Sequence, residues 1–127
     1  MNKNVKTITK NETIFKATNI MKESFVGQLV VIENSFPIGI LTERDICYKV
    51  VSLNLDPKKT PVEKIMTKTL IKAHINDTIS EISRRMSLAK IKQIPIIDEN
   101  NSLVGIISSS DLIRIVASLH RDIDGIN

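Results

Sequence analysis

Aromatic residues are scarce in this chain of 127 residues, which has no tryptophan, one tyrosine and three phenylalanines. Surfaces that bind single-stranded nucleic acids stack the bases on aromatic side chains, so this composition argues against such a surface. No run of about 18 apolar residues occurs, which argues against a membrane-spanning helix. The first residues also lack the apolar stretch of a secretory signal, so we expect no export and no membrane partner.

Cysteine is equally scarce, since Cys47 is the single one in the chain. One cysteine cannot form an internal disulfide, which fits a reducing, cytoplasmic location. It cannot supply a zinc site either, and His74 and His120 have no ligand partners at a metal-binding spacing. We therefore expect no metal and no resident cofactor, and we expect Cys47 to lie in the core.

The remaining composition is that of a folded protein, with 42% hydrophobic and 25% charged residues. The length suits one domain or two very small subdomains that share a core. A net charge of +4 and an isoelectric point near 9.3 favour an anionic partner, such as a nucleotide, a phosphate or a nucleic acid.

Two segments of the sequence occur twice, in the same order. Residues 11–14 recur at 76–79, which is 65 positions later, and residues 39–46 recur at 105–112, which is 66 positions later. One residue is therefore inserted between the two matched blocks. Matched blocks at nearly one offset indicate that the chain is a duplication of one unit.

Each copy is predicted to form a strand, a helix, two strands and a closing helix, which gives an α/β (α+β) fold class. In the first copy we predict strands at residues 6–9, 28–33 and 38–41, and helices at 13–22 and 44–53. In the second copy we predict strands at residues 70–73, 94–97 and 103–107, and helices at 79–89 and 111–120. The first domain is expected to span residues 1–60 and the second residues 61–127, with an exposed linker at residues 56–61.

The two copies have thin cores, so we expect them to pack together as a pseudo-twofold pair with two equivalent clefts. The closing helices are apolar over more than one stripe, which predicts a second packed side. Two interpretations remain: a homodimer formed through these helices, or a helix deeply buried in a monomer. The apolar residues concerned are Ile46, Cys47, Val50, Val51 and Leu53 in the first helix and Leu112, Ile113, Ile115, Val116 and Leu119 in the second.

The repeated element has the pattern glycine, two apolar residues, Thr or Ser, two variable residues and Asp. The glycine permits an unusual backbone angle, and the hydroxyl stands at a helix N-terminus, where phosphate binds readily. The aspartate in the first helical turn can accept hydrogen bonds from the two hydroxyls of a ribose. Thr42 with Asp45 and Ser108 with Asp111 could also be simple helix caps, but their repetition favours a ligand site.

The chain closely resembles a tandem pair of CBS domains, also called a Bateman module. The resemblance covers residues 5–119 and is carried by residues 39–46, 62–67, 76–79 and 93–98. It implies a stand-alone module that binds adenosine compounds, such as AMP, ADP, ATP, S-adenosylmethionine or NAD. In such pairs the ribose and phosphate are held by one copy and the adenine by the other.

The resemblance implies two candidate sites. Site A would hold ribose and phosphate with Thr42, Arg44 and Asp45, and adenine with Leu70, Ile71, Ile91, Lys92, Gln93, Ile94 and Pro95. Site B would hold ribose and phosphate with Ser108 and Asp111, and adenine with Lys6, Thr7, Ile8, Phe25, Val26 and Gly27.

The two sites are expected to differ in charge. Lys92 occupies a position where the family often places a basic residue near the phosphates of site B, and Val26 is taken as its counterpart in the first copy. Arg44 could supply the same charge to site A, where site B has Ser110. Both cations could also be solvated surface charges.

These features favour a regulatory sensor of adenine nucleotides that signals to an unidentified protein partner by a conformational change. A nucleic-acid-binding module rests on the basic isoelectric point alone. An enzyme is disfavoured because no nucleophile and base, metal set or paired catalytic carboxylates are found. A pair that has lost its ligand and serves only in assembly is a further alternative.

Overall fold

The computed structural model describes residues 1–68 and 71–124, with side chains described as far as Leu119. Two compact units are present: Asn4–Leu70, and Ile71–Asn127 together with Met1–Lys3. The predicted division at residue 60 stays a prediction. Within the described part of the chain, no helix has the length and apolar character needed to cross a membrane.

The unit Asn4–Leu70 contains a four-stranded sheet in the order β1-β2-β3-β4, in which β1 and β2 are parallel and the other pairs antiparallel. A short helix, α2, continues directly into a π-helix at Ile46–Val51. In chain order the elements are β1 (Thr7–Thr9), α1 (Ile14–Ser24), β2 (Gln28–Glu33), β3 (Phe36–Thr42), α2 (Glu43–Asp45), α3 (Val62–Ile65) and β4 (Thr67–Lys68).

The second unit repeats this plan with a three-stranded sheet in the order β5-β6-β7. Its elements are β5 (Ala73–His74), α4 (Ile79–Ala89), β6 (Gln93–Ile97), β7 (Leu103–Ser108) and α5 (Ser109–Asp124). Asn2 pairs with Ile106 at the free edge of β7, as β4 pairs with β3 in the first unit. The predicted α+β fold with two β-α-β-β-α copies is confirmed.

Helices α1 and α4 begin and end in the same way in both units. The hydroxyls of Thr13 and Thr78 accept hydrogen bonds from backbone N–H groups three residues later, which caps each N-terminus. Each helix ends at a residue in the left-handed conformation, Phe25 and Lys90. Their buried faces contribute to two apolar cores. The first core contains Ile8, Ile14, Ala17, Met21, Leu29, Val31, Leu41, Val50, Val62 and Ile65, and the second contains Ala73, Ile82, Met86, Ile94, Ile96 and Ile107.

The residue inserted in the second copy lies in its β-hairpin. β2 and β3 are joined by Asn34 and Ser35, both at positive φ, as a two-residue hairpin turn requires. In the second copy the backbone N–H of Asp98 donates to the carbonyl of Ser102, so three residues lie between them. The longer loop uses one left-handed residue, Asn101.

The strand pairing within the two hairpins corrects one predicted correspondence between the two copies. Gln28 pairs with Thr42 and Gln93 pairs with Ser108, so the two glutamines occupy equivalent positions in the two copies. The residues directly before them are therefore equivalent too. The counterpart of Lys92 is therefore Gly27, and the predicted match to Val26 is wrong. The inserted residue comes after this point in the chain, so the smaller offset of 65 still applies here.

Several predicted boundaries also need correction. The linker predicted as exposed at residues 56–61 contains a buried residue, Thr60. Its hydroxyl donates to the carbonyl of Asp56, and its carbonyl accepts from the N–H of Ile14. The helix α3 and the strand β4 follow directly and were not predicted. The strand predicted from residue 70 comprises Ala73–His74, and Leu70 lies outside the described residues. The side chain of His120 also lies outside them. Cys47 is exposed, so its predicted core position is wrong.

The repeated glycine serves close packing and has no unusual backbone angle. A methyl group built on Gly39 would lie 2.6 Å from the sulfur of Met66 and 3.0 Å from the carbonyl oxygen of Thr67. A methyl group on Gly105 would meet Met1 and Asn2 at the same distances. In both units a segment distant in sequence therefore lies directly against the glycine, and the predicted conformational reason is wrong.

We expect Gly39→Ala to lower the free energy of unfolding by about 1–3 kcal/mol, the usual effect of overpacking. Urea denaturation followed by circular dichroism measures this change. Gly27→Ala is the matched control, because a methyl group there meets the Glu43 carboxylate at 3.5 Å, an ordinary contact. Equal stability of the two variants would contradict this account of the repeated glycine.

Candidate functional site

In the first unit, the repeated element places Thr42 and Asp45 in a reciprocal pair at the start of α2. The N–H of Thr42 donates to Asp45 Oδ2 at 3.0 Å, and the N–H of Asp45 donates to Thr42 Oγ1 at 3.1 Å. This is a capping box, the helix cap that the sequence left as an alternative. The Thr42 hydroxyl can still donate its own proton to a ligand.

The second oxygen of Asp45 is also occupied. The Thr67 hydroxyl of β4 donates to Asp45 Oδ1 at 3.3 Å, and Lys49 Nζ lies 3.1 Å from the same oxygen. Lys49 Nζ also donates to the backbone carbonyl of Ile65 at 3.1 Å. Asp45 is consequently buried, with 8% of its surface exposed.

In the second unit, Ser108 and Asp111 form the same reciprocal pair at the start of α5. The N–H of Ser108 donates to Asp111 Oδ2 at 2.8 Å, and the N–H of Asp111 donates to Ser108 Oγ at 3.2 Å. Arg114, one turn later, pairs with Asp111 Oδ1. Hydrogen bonds from the backbone N–H and the hydroxyl of Ser108 hold the pKa of Asp111 below its usual range, helped by the charges of the N-terminal ammonium and Arg114.

This pKa shift gives a stability that depends on pH. A carboxyl whose pKa is lower in the folded state stabilises the fold above its unfolded pKa of about 3.9, and loses that contribution as the pH falls through the folded pKa. We therefore expect parent and Asp111→Asn proteins to differ in unfolding free energy at pH 7, and this difference to shrink as the pH falls below about 3.9. Urea titrations at several pH values test this, and a difference that does not change with pH would contradict it.

The remaining residues predicted for the first unit are spread over β1, the end of α1 and the start of α2. Arg44 is exposed, with its guanidinium carbon 5.8 Å from the centre of the Tyr48 ring. The carbonyl of Gly27 accepts a hydrogen bond from the N–H of Glu43 at 3.0 Å, which joins the predicted loop to α2. Phe25 is almost fully exposed. The others are Lys6, which is exposed, Thr7 and Val26, which are half-buried, and Ile8, which is in the core.

In the second unit, the carbonyl of Lys92 accepts from the N–H of Ser109 at 2.8 Å and from its hydroxyl at 3.3 Å. The exposed Lys92 is thus held beside the start of α5, where Ser108 and Asp111 lie. Ile71 and Ile91 pack against the core, Gln93 is half-buried, and Ile94 and Pro95 are fully buried. A ligand could therefore contact Ile94 only through its backbone.

Three side chains that contact the carboxylates of Asp45 and Asp111 were not predicted from the sequence. Lys49 and Arg114 follow their aspartates by four and three residues, a spacing that places charges together on a helix and could have revealed them. Thr67 is 22 residues from Asp45, and no local pattern predicts this contact. Over residues 1–68 and 71–124, no group of His, Cys, Asp and Glu is arranged to bind a metal ion.

Comparisons with known proteins agree with this architecture. The family model for the CBS domain matches residues 1–52 and 62–118. CBS domain-containing protein YhcV of Bacillus subtilis is 36% identical over 112 residues, which are 88% of this chain and 79% of that protein. The chain is also 32% identical to a homoserine O-acetyltransferase of Methanococcus vannielii, of which it covers 23%.

Solved structures of CBS domain proteins are similar over most of the chain as well. A protein with CBS domains from Burkholderia ambifaria has a TM-score of 0.75 and 32% identity, covering 92% of this chain and 85% of that one. The hexameric CBS-CP12 protein from bloom-forming cyanobacteria has a TM-score of 0.73 and 35% identity, covering 89% and 63% of the two chains.

Proposed function

Because the chain belongs to the CBS domain family and contains a tandem pair of these domains, we propose that it binds an adenine nucleotide and passes the signal to a partner protein. CBS pairs are mostly regulatory, non-catalytic modules, and adenine nucleotides fit the chemistry present here. The observation that carries the proposal is the same hydroxyl and carboxylate pair at the start of a helix in both units.

The second unit offers the more complete set of groups. The start of α5 and the exposed Lys92 beside it favour a phosphate, and the carboxylate of Asp111 accepts ribose hydroxyls. The adenine contacts named for site B stay a prediction. The predicted cytoplasmic location and the identity of the protein partner stay predictions.

Thermal denaturation with and without AMP, ADP, ATP or S-adenosylmethionine tests this proposal. A ligand that binds the folded state at 100 times its Kd stabilises it by about 2.7 kcal/mol, so a clear rise in Tm is expected. A short DNA duplex serves as the comparison ligand. No shift with any adenosine compound at millimolar concentration, or a shift with DNA alone, would overturn the proposal.

We also propose that the chain forms a homodimer through the closing helices. Val116 of α5 is 59% exposed, and Ile113 and Leu119 on the same helix are exposed as well. A groove of about 570 Å³ between α4 and α5 is lined by Ser83, Leu112, Ile113, Val116 and Ala117. Such an apolar surface is typical of a protein interface.

Val116→Lys is expected to weaken self-association at least about tenfold, because burying an unpaired ammonium costs several kcal/mol. Analytical ultracentrifugation over a concentration series measures the change. Asn100→Lys adds the same charge in the exposed β6–β7 hairpin and is the control. A parent protein that stays monomeric at high concentration would contradict the proposed homodimer.

A further inference from the structure

We infer that a groove in the first unit binds a small aliphatic α-amino acid of about the size of leucine. The groove, called the β1 groove below, is formed by β1, β2 and the start of α1 and has a volume of about 220 Å³. Pockets for drug-sized ligands have volumes of about 300–1,000 Å³, so this groove suits a smaller molecule. Its lining includes Thr7, Ile8, Glu12, Lys16, Ile20 and Ile32.

The β1 groove is separate from the start of α2, where the repeated hydroxyl and carboxylate lie. Gln28 at the start of β2 pairs with Thr42, which caps α2. Ile32, which lines the groove, is four residues farther along β2, a distance of about 13 Å at about 3.3 Å per residue. Thr7 and Ile8 are the two lining residues that were also named for adenine. The groove is therefore a different place on the first unit.

In the second unit, an arginine side chain fills the equivalent place. Helices α1 and α4 match at an offset of 65, so Ile20 corresponds to Arg85. The Arg85 guanidinium donates to the carbonyl of Lys72 at 3.0 Å and to Asp77 Oδ2 at 2.9 Å. Its Nε also donates to Glu81 Oε1 at 3.2 Å. This place in the fold thus binds a cation, and the first unit leaves it open because isoleucine is shorter than arginine and apolar.

The charges around the β1 groove differ from those around the arginine of the second unit. Asp77 corresponds to Glu12, whereas Glu81 corresponds to Lys16, so an ammonium replaces one of the two carboxylates. Lys16 Nζ lies 3.3 Å from Glu12 Oε2, with side chains that are 57% and 38% exposed. An ion pair this exposed is worth little, so a ligand can separate the two groups. A molecule with an ammonium for Glu12 and a carboxylate for Lys16 matches both charges.

The apolar lining of the β1 groove favours an aliphatic side chain on this molecule. Ile8 is buried and Ile20 and Ile32 are half-buried, so three branched side chains contribute to the groove. An aliphatic group placed on them is removed from water, which favours binding. An aliphatic α-amino acid has its ammonium and carboxylate on one carbon with the apolar group beside them, as the lining requires.

NMR titration of the isotope-labelled full chain with L-leucine tests the inference. We expect saturable shifts of amide signals from β1 and the first turns of α1, with a Kd of about 1 mM or lower. Two analogues test the need for both charges, because 3-methylbutylamine lacks the carboxylate and 4-methylpentanoate lacks the ammonium. Each is expected to bind at least about tenfold more weakly than leucine.

Two variants make the β1 groove more like its counterpart in the second unit. Ile20→Arg introduces the side chain that the second unit has at this place, and it should weaken leucine binding at least about tenfold. Thr18→Arg adds the same charge at an exposed position of α1 outside the groove and is the matched control. Lys16→Glu restores the second carboxylate and should reverse the preference, so that 3-methylbutylamine binds more tightly than leucine.

Three results would overturn the inference: no saturable shift with leucine at millimolar concentration, analogues that bind as tightly as leucine, or parent-like leucine binding by a folded Ile20→Arg protein. A Lys16→Glu protein that still prefers leucine would overturn it too. If Ile20→Arg does not fold, as judged by circular dichroism, the analogues and Lys16→Glu decide the question. These titrations contain no nucleotide, so their outcome is independent of the proposed function.

Discussion

Asp111→Ala is expected to weaken AMP binding by about tenfold to a hundredfold. A hydrogen bond to a charged group contributes about 1.5–3 kcal/mol, and about 1.4 kcal/mol corresponds to a factor of ten in Kd. The low pKa of Asp111 keeps the carboxylate ionised at neutral pH, as this contribution requires. Calorimetry with AMP on parent and variant measures the ratio of the two Kd values.

The matched control is Ser110→Ala, because Ser110 is exposed in the same first turn of α5. This change should leave Kd nearly unaltered. If Asp111 acts only as a helix cap, its loss lowers the unfolding free energy by about 1 kcal/mol and AMP affinity stays at the parent value. That result would assign the carboxylate to the fold and remove it from the ligand site.

The secondary structure could be predicted where a local pattern determines it. Helix α4 spans Ile79–Ala89, as the apolar spacing after Thr78 indicates, and β2 spans Gln28–Glu33, as its apolar run indicates. The reciprocal bonds of Thr42 with Asp45 and of Ser108 with Asp111 also follow from residues three apart. Each of these features depends on neighbours within a few positions along the chain.

The features that were missed depend on contacts distant in sequence. β4 pairs with β3 through Gly39 and Lys68, and two residues of strand carry too weak a local signal to be recognised. The glycine in the repeated element was assigned a special backbone angle because its packing partner, Met66, lies 27 residues away. The exposure of Cys47 was missed because a helix that is apolar on several sides does not show which side is covered.

The two aspartates also lead to different expectations for stability. Asp45 is buried and accepts hydrogen bonds from Thr42 and Thr67 and pairs with Lys49. Asp111 accepts a hydrogen bond from Ser108 and pairs with an exposed arginine, Arg114. A difference in partners of this kind cannot be read from the repeated sequence, in which the two residues occupy equivalent positions. It arises because β4 supplies Thr67 to the first unit.

Asp45→Ala is therefore expected to lower the unfolding free energy by about 2–3 kcal/mol, compared with about 1 kcal/mol for Asp111→Ala. The loss of a cap costs about 1 kcal/mol, and leaving the Thr67 hydroxyl and the Lys49 ammonium without their acceptor adds about 1–2 kcal/mol. Urea denaturation at pH 7 without nucleotide measures both variants. Asp45→Asn keeps an acceptor for the N–H of Thr42 and should recover part of the loss. Equal losses for the two alanine variants would show that Thr67 and Lys49 add nothing to the Asp45 cap.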